Sequence, residues 1–182
     1  MQKVSAHDVA AELRRLLPGI GVKKLHKLLY YCQGHHLAHF RTPLFAESIM
    51  AYDMGPMVAQ LWKAEKEGRS PESPISLDNA QLNTVVYVVS RYGRLSGTDL
   101  ERLTHAETPW QEADKLRTPG SSVRIRDTWI RDFFAAENGQ DSESAWPSAE
   151  DIARLAVGAT DRRNQPAVPD DLQALEARLS AR

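Results

Sequence analysis

The stretch from Lys23 to Arg41, KKLHKLLYYCQGHHLAHFR, constrains the fold more than any other part of the chain. Stepping about 100° per residue from Leu25 places Leu28, Leu29, Cys32 and His36 in one narrow arc, the spacing of a single helical face. Tyr30, Leu37 and Phe40 widen that arc on one side, and Tyr31 and His35 widen it on the other. Only Lys24, Lys27, Gly34, Ala38 and Arg41 remain for the back. A helix apolar over most of its circumference is surrounded by other elements, so this stretch predicts a central helix. Gly34 costs about 1 kcal/mol relative to alanine in a helix interior, and a close approach by another backbone is the expected reason for it.

With 182 residues, 42% of them hydrophobic, the chain can bury one core and carry an appendage, but not two large domains. A formal net charge of -1 argues against a protein devoted to the nucleic-acid backbone. The single cysteine, Cys32, excludes an internal disulfide and a Cys-rich zinc module. The N-terminal sequence lacks the apolar core of a signal peptide, and no run approaches the roughly 18 apolar residues of a membrane span. A cytoplasmic protein with no membrane partner is expected.

In chain order, Ser5 and Asp8 form a capping box before Val9, Leu13, Leu16 and Leu17, predicting a first helix over Ala6 to Leu17 that Pro18 and Gly19 end. After the central helix, periodicity lapses, and Ile49, Ala51 and Tyr52 suggest one short β-like segment. Gly55 reads as a turn and Pro56 as the first position of a helix through Val58, Leu61 and Trp62. Beyond the loop at residues 68–74, the run TVVYVV keeps helical spacing, with Ser76 as N-cap and Gly93 just past the end. Ser96 with Asp99, and Thr108 with Pro109, open two further short helices. Ile125 lies in a short extended piece, and Asp127 caps a last helix carrying Ile130, Phe133 and Phe134. The fold class is therefore mainly α: a single helical domain over 1–137 around a buried central helix, a polar linker over 138–147, and a helical extension over 148–182. In that extension Leu172, Leu175 and Leu179 form a stripe too narrow to fold alone.

Two motifs carry a family resemblance. KLHKLLYYCQGHHLA, followed by PLF and AYDMGPMV, resembles the N-terminal half of the Panacea domain of SocA-like antitoxins. THAETPW, with Thr104, His105, Glu107, Pro109 and Trp110, is similar to that domain's second signature. Both lie in the family's order, spanning roughly Val22 to Phe134, with departures at His35 and Cys32. The signature positions are Leu25, Leu28, Tyr30, Tyr31, Gln33, Gly34, His36, Gly55, Pro56, Thr104, His105, Glu107, Pro109 and Trp110, for which a structural role is expected. The resemblance implies the neutralising partner of a bacterial toxin-antitoxin pair, a setting that includes phage defence. On that resemblance the chain is expected to act by binding a cognate toxin, with the adjacent gene as the expected source of that toxin. The resemblance leaves the toxin's identity open, and a homo-oligomer is equally open.

Cys32, His35, His36 and His39 are spaced like metal ligands on successive turns, yet all sit on one helix and mostly on its apolar side, so core packing outweighs zinc. His105 and Glu107 invite an acid-base reading, but no nucleophile elbow or phosphate loop accompanies them. No enzyme activity, cofactor or metal is expected, and Trp62 and Trp110 read as core aromatics. The runner-up is a DNA-binding regulator, with residues 96–116 as a helix-turn-helix and VRIR as a wing. Its second helix, PWQEADKL, has two acidic residues to one lysine, a poor reader of phosphates. For toxin binding, the adaptable Met and Tyr side chains of Tyr52, Asp53, Met54 and Met57 make the best patch. Leu172, Leu175 and Leu179 make a second.

Overall fold

The computed structural model describes residues 4–69 and 74–140, with side chains to residue 137. The first helix, α1 (Ala6–Leu16), begins where its sequence says it should: Ser5 accepts from the Asp8 amide, and Asp8 returns the bond to the Ser5 amide. The central helix follows as α2 (Val22–Phe40), and Arg41 ends it in the left-handed conformation at φ 61°. From Leu25 to Ala38 every residue of α2 is buried. Helix α1 covers one side of α2, and the remaining sides are covered by four elements introduced below.

The irregular stretch after α2 contains a hairpin. Strand β1 (Ile49–Tyr52) and strand β2 (Gly55–Val58) pair antiparallel, Tyr52 opposite Gly55 and Ile49 opposite Val58. Asp53 and Met54 form the connection, and Gly55 supplies the positive φ of 94° that a tight hairpin needs. The expected helical start at Pro56 is thus corrected: Pro56 lies in β2, on the sheet's outer strand, where its missing N–H removes no ladder bond. Alternation in β1 buries Ile49 and Ala51 and leaves Met50 and Tyr52 half-exposed.

The chain then runs through α3 (Ala59–Lys66), α4 (Asn79–Tyr92), α5 (Gly97–Ala106), α6 (Thr108–Asp114), strand β3 (Val123–Arg124) and α7 (Asp127–Gln140). Helix α4 is N-capped by Asp78 rather than Ser76, because Asp78 and Gln81 complete a reciprocal capping box. Gly93 is its C-cap in the right-handed region. Ser96 and Asp99 cap α5 as expected, whereas Asp127 is already inside α7. Strand β3 adds to β1, giving a three-stranded antiparallel sheet in the order β2-β1-β3. Among the described residues the protein is therefore mainly α, with seven helices and this one small sheet. Helix α7 continues to Gln140, so the first residues of the stretch read as a linker are helical. The extension over 148–182 lies outside the described residues.

Helices α4, α5 and α7 and strand β2 complete the sheath around α2. Two expectations about its back face are corrected. The approach at Gly34 is made by a side chain, since a Cβ there would stand 2.3 Å from the Phe134 ring of α7. Lys27, expected in solvent, is 3% exposed. Trp62 is half-buried on α3, beneath the Lys66 ammonium, and is not a core residue.

Candidate functional site

Successive residues on α2, His26 and Lys27, face β2. The Lys27 ammonium donates to the Pro56 carbonyl at 3.1 Å, and the Val58 amide donates to His26 Nδ1 at 3.3 Å. The outer edge of β2 is thereby closed by side chains instead of another strand. Accepting from an amide requires His26 to be unprotonated at Nδ1, and burial, aided by the Lys27 and Arg14 charges, pulls its pKa down to about 3. Burial likewise pulls Lys27 down to about 7, opposed by Glu101 and reinforced by Lys23. Gly55 belongs to the same contact. A Cβ at that position would lie 2.9 Å from Lys27 Cε and 3.0 Å from Thr104 Oγ1. The two motifs therefore meet in space, with Lys27 between Gly55 and Thr104.

The second motif spans the junction of α5 and α6. Thr104 is buried and donates to the Glu101 carbonyl at 3.0 Å, and Glu101 forms an ion pair with Lys23 at 2.8 Å. His105 stacks on Trp110, with ring centroids 4.0 Å apart. Glu107 is the hinge residue between the two helices, and Pro109 occupies the first turn of α6. The Tyr31 hydroxyl donates to Glu107 Oε1 at 2.7 Å. Trp110 Nε1 donates to the Tyr52 carbonyl at 3.2 Å, reaching the hairpin from below. Arg117, just past α6, forms ion pairs with Asp53 at 2.5 Å and Asp114 at 2.7 Å. The hairpin is thus fastened at three places, by His26 and Lys27, by Trp110, and by Arg117.

The remaining signature residues of α2 hold other parts of the frame. Leu25 and Leu28 are core, and Tyr30 packs edge-on against Phe134. Gln33 accepts from the Leu44 and Phe45 amides and donates to the Phe45 carbonyl, pinning the chain that leaves Pro43. His36 Nδ1 lies 2.8 Å from Thr84 Oγ1, and His35 Nε2 lies 3.0 Å from the Tyr92 hydroxyl. Cys32 is fully buried, and burial pushes its thiol pKa far up. Among the described residues no three His, Cys, Asp or Glu side chains are placed to share a metal ion.

Of the side chains expected on the binding surface, Tyr52, Met54 and Met57 are half-exposed and Asp53 is exposed. Met50 stands opposite Met57 in the register and adds to the same face. Leu172, Leu175 and Leu179 lie outside the described residues. The helix-turn-helix reading meets a packed α6, which buries Pro109, Trp110 and Ala113, and VRIR pairs with β1 instead of standing out as a wing. Sequence reasoning missed Lys27, His26 and Arg117. The signal for Lys27 was its stripe: Lys27 shares a helical face with Tyr31, Gly34 and Ala38, and a face with so few charged residues is one that neighbouring elements can cover.

No helix among the described residues is long and apolar enough to cross a membrane. Residues 25–111 match the family model described as antitoxin SocA-like, Panacea domain. Comparison with curated proteins and with solved structures gives no significant match. The matched span opens at Leu25 and closes at Gln111, so it contains the meeting of the two motifs at Lys27, Gly55 and Thr104, while Lys23, Asp114 and Arg117 lie outside it.

Proposed function

From residues 25–111, a Panacea domain of the SocA-like antitoxin family, we propose that this chain is the antitoxin of a bacterial pair and neutralises its cognate toxin by direct binding. The match over both motifs is the observation that carries this reading. The toxin is the product of the adjacent gene, and the encounter takes place in the cytoplasm. In this reading the protein has no catalytic turnover of its own, and the stacking of His105 on Trp110 and the hydrogen bond from Tyr31 to Glu107 support a structural role for both residues.

The proposed contact surface is the outer face of the hairpin, with Tyr52, Met54 and Met57 and the rim charge of Asp53. Flexible thioethers and a ring that orders at low entropic cost suit a partner surface. A rigid base under an adaptable face lowers the ordering cost of association, and the fastenings from α2, Trp110 and Arg117 supply that base. Leu172, Leu175 and Leu179 are a second proposed contact. The test is growth: expression of the neighbouring reading frame alone should arrest cells, and co-expression of this chain should restore growth. Restoration should persist when His105 is replaced by Ala in a folded variant. A neighbouring product that is harmless alone, or that arrests growth equally with and without this chain, would overturn the reading.

A further inference from the structure

The small sheet has two edges, and only one of them is closed. On β2 the outward amide of Val58 is taken by His26, the outward carbonyl of Pro56 is taken by Lys27, and Pro56 has no amide to offer. On β3 the Ile125 amide donates to the Ile49 carbonyl at 2.9 Å. In an antiparallel ladder the residue before it turns its amide and carbonyl the other way. That residue is Arg124, whose backbone groups therefore point away from β1 and meet no partner among the described residues. Arg124 is exposed, as is Arg126, whereas Ile125 is buried and Val123 packs against the core. The register sets Arg124 in one row with Met50 and Met57, so the open edge borders the face of the hairpin proposed for the toxin.

A strand laid along β3 would place one side chain beside Arg124 and the two on either side of it next to Val123 and Ile125. Opposite charges facing one another across strands are favourable and like charges are not. Two copies of this chain meeting edge to edge about Arg124 would bring their guanidinium groups together, which makes a second copy a poor occupant and an acidic strand a good one. The Arg124 guanidinium rests on Asp127 at 3.2 Å, an exposed pair within one segment, of the kind that contributes little and yields readily to a better partner. The shortness and charge of β3 guard it against unselective pairing. We infer that β3 is a strand-addition edge: an extended segment of the toxin pairs with the Arg124 amide and carbonyl, sets a carboxylate beside Arg124, and lays apolar side chains against Val123. This rests on the antitoxin reading and specifies how the partner is held, the hairpin face meeting its side chains and the β3 edge its backbone.

The test uses the full chain and the purified product of the neighbouring reading frame. Arg124→Pro removes the outward amide and leaves the bonds between β3 and β1 in place, the position at which an edge strand accepts proline. Arg124→Gln removes the charge and keeps the amide. The two variants should melt at the same temperature. In calorimetric titration both should bind more weakly than the wild type, Arg124→Pro by at least about tenfold, and only the wild type and Arg124→Pro should differ in how steeply raised salt weakens binding. Hydrogen exchange read by NMR gives the check that needs no variant: the Arg124 amide should exchange fast in the free chain and at least about tenfold more slowly in the complex. Toxin that binds the wild type while leaving Arg124 exchange unchanged, or that binds Arg124→Pro as tightly as the wild type, would overturn the inference and leave the antitoxin reading standing. An Arg124 amide already protected in a free chain that dimerises would overturn it in favour of a second copy. Absence of any binding to the wild type would overturn both.

Discussion

Gly34 and Lys27 show how much of this fold rests on single side chains. A methyl group at position 34 would collide with the Phe134 ring, so Gly34→Ala should destabilise by about 1–3 kcal/mol, the usual cost of overpacking. Phe134→Leu in the same chain should recover part of that loss, which a double-mutant cycle in denaturant melts would measure. Leu28, fully buried in the same helix, should cost about 2–5 kcal/mol on truncation to alanine. Lys27 had the signature of a surface residue, for which truncation costs about 0.5 kcal/mol or less. Its burial reverses that expectation. Lys27→Ala should cost well over that amount, because it removes the donor to the Pro56 carbonyl and empties the space between Gly55 and Thr104. Lys27→Met, which keeps the stem and drops the charge, should be the milder change.

At the scale of elements, the helices with their own start signals were legible before any coordinates. Ser5 with Asp8 and Ser96 with Asp99 name their helices because a capping box is a local device, written within four residues. The central helix was legible for a different reason, its unbroken apolar circumference. The hairpin was read only by half. Pro56 after Gly55 is an equally good opening for a helix, and what decides for a strand is the docking of β2 against Lys27 and His26, which no local window contains. The candidate site was legible as two motifs, and their meeting at Gly55, Lys27 and Thr104 was not, since residues far apart in sequence reveal their contact only after folding. Gly55 gives a direct check on this junction. Gly55→Ala must strain a φ of 94° and push on Lys27 and Thr104, so it should lower the melting temperature more than Gly68→Ala, whose added Cβ meets nothing.

For the molecule as a whole, the buried histidines set the response to acid. His26 and His36 are held neutral by burial, with pKa values near 3 and 4 against an ordinary 6.5. The unfolded chain therefore takes up protons that the fold refuses, and stability present above pH 6.5 should be lost as pH falls toward 4. Lys27 acts on the alkaline side: with a folded value near 7 and an unfolded value of 10.5, it should add stability as pH rises between them. Urea midpoints at pH 5, 7 and 9 would read both trends, and Lys27→Met should flatten the second. Through all of this the hairpin is the element that faces outward, held by residues of both motifs, and the account stands or falls on its use. The most direct measurement is calorimetric titration of the cognate toxin with the full chain and with Met54→Asp, whose side chain lies in the half-exposed turn. The account predicts an unchanged melting temperature and an affinity at least about tenfold weaker, roughly 1.4 kcal/mol. Equal affinity for the two folded proteins would contradict it.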